Sequence, residues 1–165
     1  MNNNRSLAAI AAVIAIIAML VVKTAWADTI TGKVVAVADG DTLTVLNGRE
    51  EVKVRLNAID APEKKQPFGT QSKQALSDLC FDQQATIETH GPDRYGRTIG
   101  DVTCKNRSAN AEQVRNGMAW VYVKYAPKNS TLYAEEKLAR GLRAGLWADA
   151  SPTPPWEWRK QNRER

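Results

Sequence analysis

Between Val52 and Ala58 the chain alternates: Val52, Val54, Leu56 and Ala58 are apolar, while Lys53, Arg55 and Asn57 are polar. A period of two predicts a strand with one buried face. The runs ITGKVVAVA (30–38), TLTVL (42–46) and QATIETH (84–90), and the stretch Arg97 to Cys104, predict four more strands. Asp39-Gly40 and Asn47-Gly48 separate the first three runs and are hairpin turns by type, so residues 30–59 form a meander. The period changes over Pro67 to Cys80, where Ala75, Leu76, Leu79 and Cys80 fall at helical spacing. Gly91-Pro92-Asp93 breaks the chain before the fifth strand. A second helix over Ser108 to Asn116 is stopped by Gly117, and a third, about 131–144, starts behind Ser130 and weakens at Gly141 and Gly145. The order β-β-β-α-β-β-α-α is that of an α+β, mainly β fold: a five-stranded OB-type Greek-key barrel with three helices.

The first 27 of the 165 residues stand apart from this pattern. Arg5 precedes an unbroken apolar run from Leu7 to Val22, and Ala25-Trp26-Ala27 supplies a small-x-small processing site. That layout predicts a signal peptide over 1–27 and an exported protein, periplasmic or secreted. The alternative is an uncleaved membrane anchor, for which the apolar run is short. The domain then spans 28–150, and 151–165 is a Pro- and Trp-containing basic tail. Removing Arg5 and Lys23 from the 23 basic residues leaves 21 against 18 acidic ones, a net charge of +3. Such a mild excess permits a polyanionic partner without requiring one.

Cys80 and Cys104 are the only cysteines, and an even pair in an exported chain predicts a disulfide, two buried thiols being the alternative. With one histidine, His90, and no Cys/His cluster, an ordinary zinc site is excluded. No Gly-x-Ser-x-Gly stretch accompanies His90, which is expected at the surface at a strand end.

The acidic residues carry more. Asp41 follows the turn glycine at the mouth of a strand, and Asp60-Ala61-Pro62-Glu63 ends another strand of the same meander. Pro62 holds Ala61 extended. Three carboxylates at one barrel mouth are either solvated turn acids or the oxygen ligands of a hard divalent cation. Arg55, on the polar face of its strand, and Arg97, in DRYGR beside Tyr95, are surface arginines or a clamp on one anion, and planar guanidiniums suit phosphate. Trp120 and Trp147 read as packing residues. Trp156 and Trp158 are expected to dock the tail on the barrel, and the last residues, RKQNRER, either touch phosphates or fray.

GDT at 40–42, VRLNAIDAPE at 54–63, DRYGR at 93–97 and NGMAWVY at 116–122 resemble, in order and spacing, the staphylococcal (thermonuclease) nuclease family, from about Thr31 to Trp147. The resemblance implies a monomeric, calcium-dependent endonuclease that cleaves the 5′ P–O bond of DNA or RNA and leaves 3′-phosphates. It implies that Asp41, Asp60 and the Ala61 backbone carbonyl are calcium ligands. Glu63 matches the general base, Arg55 and Arg97 the arginines on the scissile phosphate, and Tyr125 a nucleotide-pocket tyrosine, with Tyr95 beside the phosphate site. Ala61 stands where the family often has threonine, Val123 where one well-known member has a second tyrosine, and the loop after Glu63 is shorter. A non-catalytic OB-type nucleic-acid-binding module is the competing reading. Retention of Asp41, Arg55, Asp60, Glu63 and Arg97 together argues against it.

Overall fold

The computed structural model describes residues 28–163, so the expected signal peptide and its processing site lie outside the described residues. Among the described residues, eight strands run in the order β1 (Thr29–Asp39), β2 (Thr42–Asn47), β3 (Glu50–Leu56), β4 (Ile59–Asp60), β5 (Gln84–Pro92), β6 (Thr98–Cys104), β7 (Arg107–Ser108) and β8 (Trp120–Val121). The helices are α1 (Gly69–Cys80), α2 (Ala109–Arg115), α3 (Leu132–Gly141) and α4 (Pro155–Arg163), with a 3-10 turn at Gly145–Ala148.

β1 is antiparallel to both β2 and β5, β2 to β3, and β5 to β6. The parallel pairing of β3 with β6, Val54 to Leu56 against Thr98 to Gly100, closes these five strands into a barrel. Closure removes the open edges that would otherwise template aggregation. Register shifts at Val34/Ala36 and Val37/Asp39 let the long β1 coil between two partners.

The alternating apolar positions meet inside. Val34, Leu43, Val45, Val54, Leu56, Ile87 and Val102 are buried, and Leu76, Leu79 and Cys80 of α1 pack on them. Each such side chain contributes about 1.5–3 kcal/mol of burial. Cys80 and Cys104 are joined, with a Cα–Cα distance of 5.4 Å, tying the end of α1 to the end of β6. A second cluster, Trp120, Ala139, Leu146 and Trp147, lies under α3 and the 3-10 turn, and Trp156 of α4 packs against it. The indoles of Trp120 and Trp147 meet edge to face at 5.3 Å. His90 is exposed and bonds Asp101 at 2.7 Å.

Two elements differ from the sequence pattern. The third strand stops at Leu56, because Ala58 turns left-handed (φ 59°). The Asn57 N–H then donates to the Gly100 carbonyl, and the chain restarts as β4 paired with β8. The alternation continued through Ala58 because a methyl at a turn is indistinguishable in pattern from a methyl in a strand. The basic tail, to which the pattern assigns no helix, forms α4. Pro155 opens it, where its missing N–H costs nothing.

Candidate active site

The turn before β2 places Asp41. Gly40 approaches α1 so closely that a Cβ there would sit 1.8 Å from Ser72 Oγ. The Gly40 carbonyl accepts from Gln113 Nε2 at 2.6 Å, and the same amide donates to the Ser72 carbonyl at 3.0 Å. Gln113 is buried on α2, so two helices hold this turn in place. Just past the same end of α2, Gly117 takes φ 63°, which ends the helix and lets the chain turn into β8, whose Trp120 pairs with Asp60.

Asp41 and Asp60 are both buried, at 6 % and 1 % exposure. Asp41 Oδ2 accepts from the Ala61 N–H at 2.7 Å, and Oδ1 from Thr42 Oγ1 at 3.1 Å. Arg55 does not point into solvent: its guanidinium lies between the two acids, 3.1 Å from Asp41 Oδ2 and 2.9 Å from Asp60 Oδ1. It also donates to the carbonyls of Leu56 and Ile59, at 3.1 and 3.0 Å. This position follows from the turn at Ala58, which folds β4 back toward the Arg55 side chain.

Burial pushes the Asp41 carboxyl up to about 7; Arg55 opposes that rise, while Asp39 and Asp60 add to it. The Arg55 guanidinium therefore does not fully offset the burial of Asp41.

Arg97 directly precedes β6, the neighbour of the β3 strand that carries Arg55. Its Nε donates to Asp93 Oδ2 at 2.8 Å, and its Nη1 reaches Thr42 Oγ1 at 3.4 Å. Thr42 thus links Arg97 to Asp41. Desolvation acts against ionisation of Asp93, but hydrogen bonds from the Arg97 backbone and guanidinium and from the Tyr95 N–H hold its carboxyl below the usual range. Tyr95 is 68 % exposed, with the Arg97 guanidinium 5.6 Å from its ring centre. Tyr125 is 59 % exposed and packs edge-on to Tyr122 at 5.0 Å.

Glu63 sits at the rim, its side chain 41 % exposed. Its N–H donates to Gln66 Oε1 at 3.1 Å, and its carbonyl lies where a Cβ on Gly69 would come within 2.1 Å. Gln66 and Gly69 thus hold the loop that presents it. Two contributors carry no site signal of their own in the sequence: Thr42, within GDT, and Arg159, in the tail. Arg159 bonds Asp60 at 2.7 Å and Glu63 at 2.8 Å. Thr42 was detectable as a hydroxyl next to Asp41, whereas nothing local singled out Arg159 among the tail's basic residues.

The donors here suit a hard cation: they are oxygens, two of them on buried acids, and Arg55 does not fully offset the burial of Asp41. Among the described residues, no three or more His, Cys, Asp or Glu side chains converge on one point. An ion held here would need further ligands from backbone carbonyls, water or substrate oxygens.

A closed five-stranded barrel carrying paired carboxylates, a rim glutamate and two arginines at one mouth has the layout of an anion-processing site on an OB-type scaffold. The family model described as staphylococcal nuclease homologue matches residues 53–149. A Shigella flexneri protein named micrococcal nuclease is 42 % identical over 168 residues, 96 % of each chain. An uncharacterized endonuclease of Haemophilus influenzae is 45 % identical over 135 residues, 81 % of this chain and 75 % of the other. A staphylococcal-like nuclease of Arabidopsis thaliana is 37 % identical over 114 residues, 69 % of this chain and 35 % of its own. The chain belongs to the staphylococcal nuclease family.

Proposed function

We propose that this protein is a calcium-dependent endonuclease that hydrolyses phosphodiester bonds in DNA, RNA or both and leaves 3′-phosphates. The observation that carries the reading is the placement of Asp41 and Asp60, both buried and side by side on Arg55, with Glu63 at their rim. The nuclease names of its relatives support it.

Asp41, Asp60 and the Ala61 carbonyl would hold the calcium. When bound, the ion supplies Lewis-acid polarisation of the phosphodiester and offsets part of its charge. Glu63, half-exposed at the rim, takes a proton from the attacking water. Arg55 and Arg97 present planar donors to the phosphate oxygens, and the interaction strengthens as negative charge builds on them. Asp93 orients the Arg97 fork, and Arg55 is oriented by the two carbonyls it bonds. Tyr95 and Tyr125 offer exposed rings to the nucleotide. The Cys80–Cys104 bridge suits an oxidising compartment, so export of a monomer to the periplasm or medium belongs to the same reading.

The test is digestion of DNA and RNA by the purified protein with calcium and then with chelator, beside Glu63→Gln. Calcium supports cleavage and chelator abolishes it, and Glu63→Gln lowers the rate by roughly 10²- to 10⁴-fold without unfolding the chain. Cleavage undiminished in excess chelator overturns the metal assignment. Near-normal turnover of Glu63→Gln moves the base elsewhere, and binding without turnover in the intact protein leaves the non-catalytic module.

A further inference from the structure

The helix at the end of the chain brings a guanidinium onto the carboxylates. Arg159, 99 residues beyond Asp60, grips it as a fork: Nη2 is 2.7 Å from Oδ2 and Nη1 is 3.2 Å from Oδ1. The same Nη1 donates to Glu63 Oε1 at 2.8 Å. Asp60 Oδ1 also accepts from Arg55, so both oxygens of this buried acid are engaged by guanidiniums. The helix is held by uncharged contacts as well. The Trp156 indole stacks on Tyr122 at 5.3 Å with planes 2° apart, Gln66 Nε2 donates to the Thr153 carbonyl at 2.6 Å, and Pro155 is buried. Gln66 belongs to the loop that presents Glu63, so the tail is tied to the same few residues by its charged and its neutral contacts.

A carboxylate gripped on both oxygens by a cationic fork is a poor ligand for a second cation. The fork covers the edge the ion needs, and the two positive charges repel at short range. Binding of the ion and docking of Arg159 are then linked, each weakening the other by the same factor. We propose that Arg159 is an internal cation that sets the calcium affinity of this site, and that calcium, on binding Asp60, displaces it from Asp60 and Glu63. Displacement also releases the Glu63 carboxylate from its ion pair, so occupancy of the site and freedom of Glu63 change together. The inference rests on the assignment of calcium to Asp60 under the proposed function.

The experiment is calorimetric titration of the full purified chain with calcium, without nucleic acid and at constant ionic strength. Arg159→Gln is compared with the unaltered protein and with Lys160→Gln, which removes a charge from the same helix at an exposed position. Loss of a charge-assisted fork predicts that Arg159→Gln binds calcium roughly tenfold more tightly or better. Lys160→Gln stays within about twofold of the unaltered protein, as expected for a screened surface charge. In the unaltered protein, calcium raises amide hydrogen exchange across residues 156–163. Equal or weaker calcium binding by Arg159→Gln overturns the proposal, as does equal tightening by Lys160→Gln or a tail whose protection is unchanged or increased by calcium. If none of the three proteins binds calcium, the calcium assignment falls, and this inference with it. If all bind it alike, only the inference falls.

Discussion

Replacing Asp41 by asparagine isolates the cost of the carboxylate pair. Asp41 is 6 % exposed, and burial raises its carboxyl from 3.8 to about 7 in the absence of metal. The native state therefore keeps a proton that the unfolded chain has released between those values. Where the native state binds more protons, stability falls as pH rises. The contribution is fully present below about pH 4 and is lost as pH climbs through about 7. At about 1.4 kcal/mol per unit, the shift corresponds to roughly 4 kcal/mol. An asparagine oxygen in the same place can still accept the Ala61 N–H, and Arg55 keeps Asp60 and its two carbonyls. Metal-free Asp41→Asn is thus more stable than the unaltered protein by a few kcal/mol at pH 8, and the gap closes toward pH 4. Urea unfolding in chelator from pH 4 to 8.5, read by tryptophan fluorescence, measures this difference directly. Calcium should reverse the order at pH 8, since only the acid gains binding free energy. A pH-independent difference, or an asparagine variant less stable at every pH, refutes the reasoning that these acids are held against their own electrostatics.

The arginines and the disulfide offer further tests. Arg97→Lys keeps the charge and loses the planar fork, so kcat falls on the order of 10²-fold while affinity for an uncleaved oligonucleotide changes far less. Arg55→Lys shows the same loss of turnover and also destabilises the metal-free fold, because its fork joins Asp41, Asp60 and two carbonyls. Single-turnover cleavage and oligonucleotide titration check both, and intact cleavage in both discards the pair. Reduction of Cys80–Cys104, which closes a separation of 24 residues, costs about 3 kcal/mol of stability in the loop-entropy model, measured by denaturant unfolding. The native oxidised protein has no alkylatable thiol in that bridge; two reactive thiols would discard it.

By itself the sequence determined what depends on neighbours along the chain. The β-branched run over 30–38 and the alternation over 52–58 and 84–90, with turns at Asp39-Gly40 and Asn47-Gly48, specified strands and hairpins, because the pleat sets the face of every second side chain. The spacing of Leu76, Leu79 and Cys80 specified α1 in the same way. The motifs GDT, VRLNAIDAPE, DRYGR and NGMAWVY were enough to suggest the family. Tertiary structure alone decided where the charges go. Arg55, polar on its strand, becomes a buried strut between Asp41 and Asp60 only because Ala58 turns left-handed and β4 pairs with β8. Thr42 joins Arg97 to Asp41 across 55 residues of sequence. The tail's composition gave no preference among its basic residues. The stacking of Trp156 on Tyr122 and the packing of α4 direct Arg159 onto Asp60 and Glu63. Contacts of this kind depend on how distant elements converge, and local periodicity contains no term for that convergence.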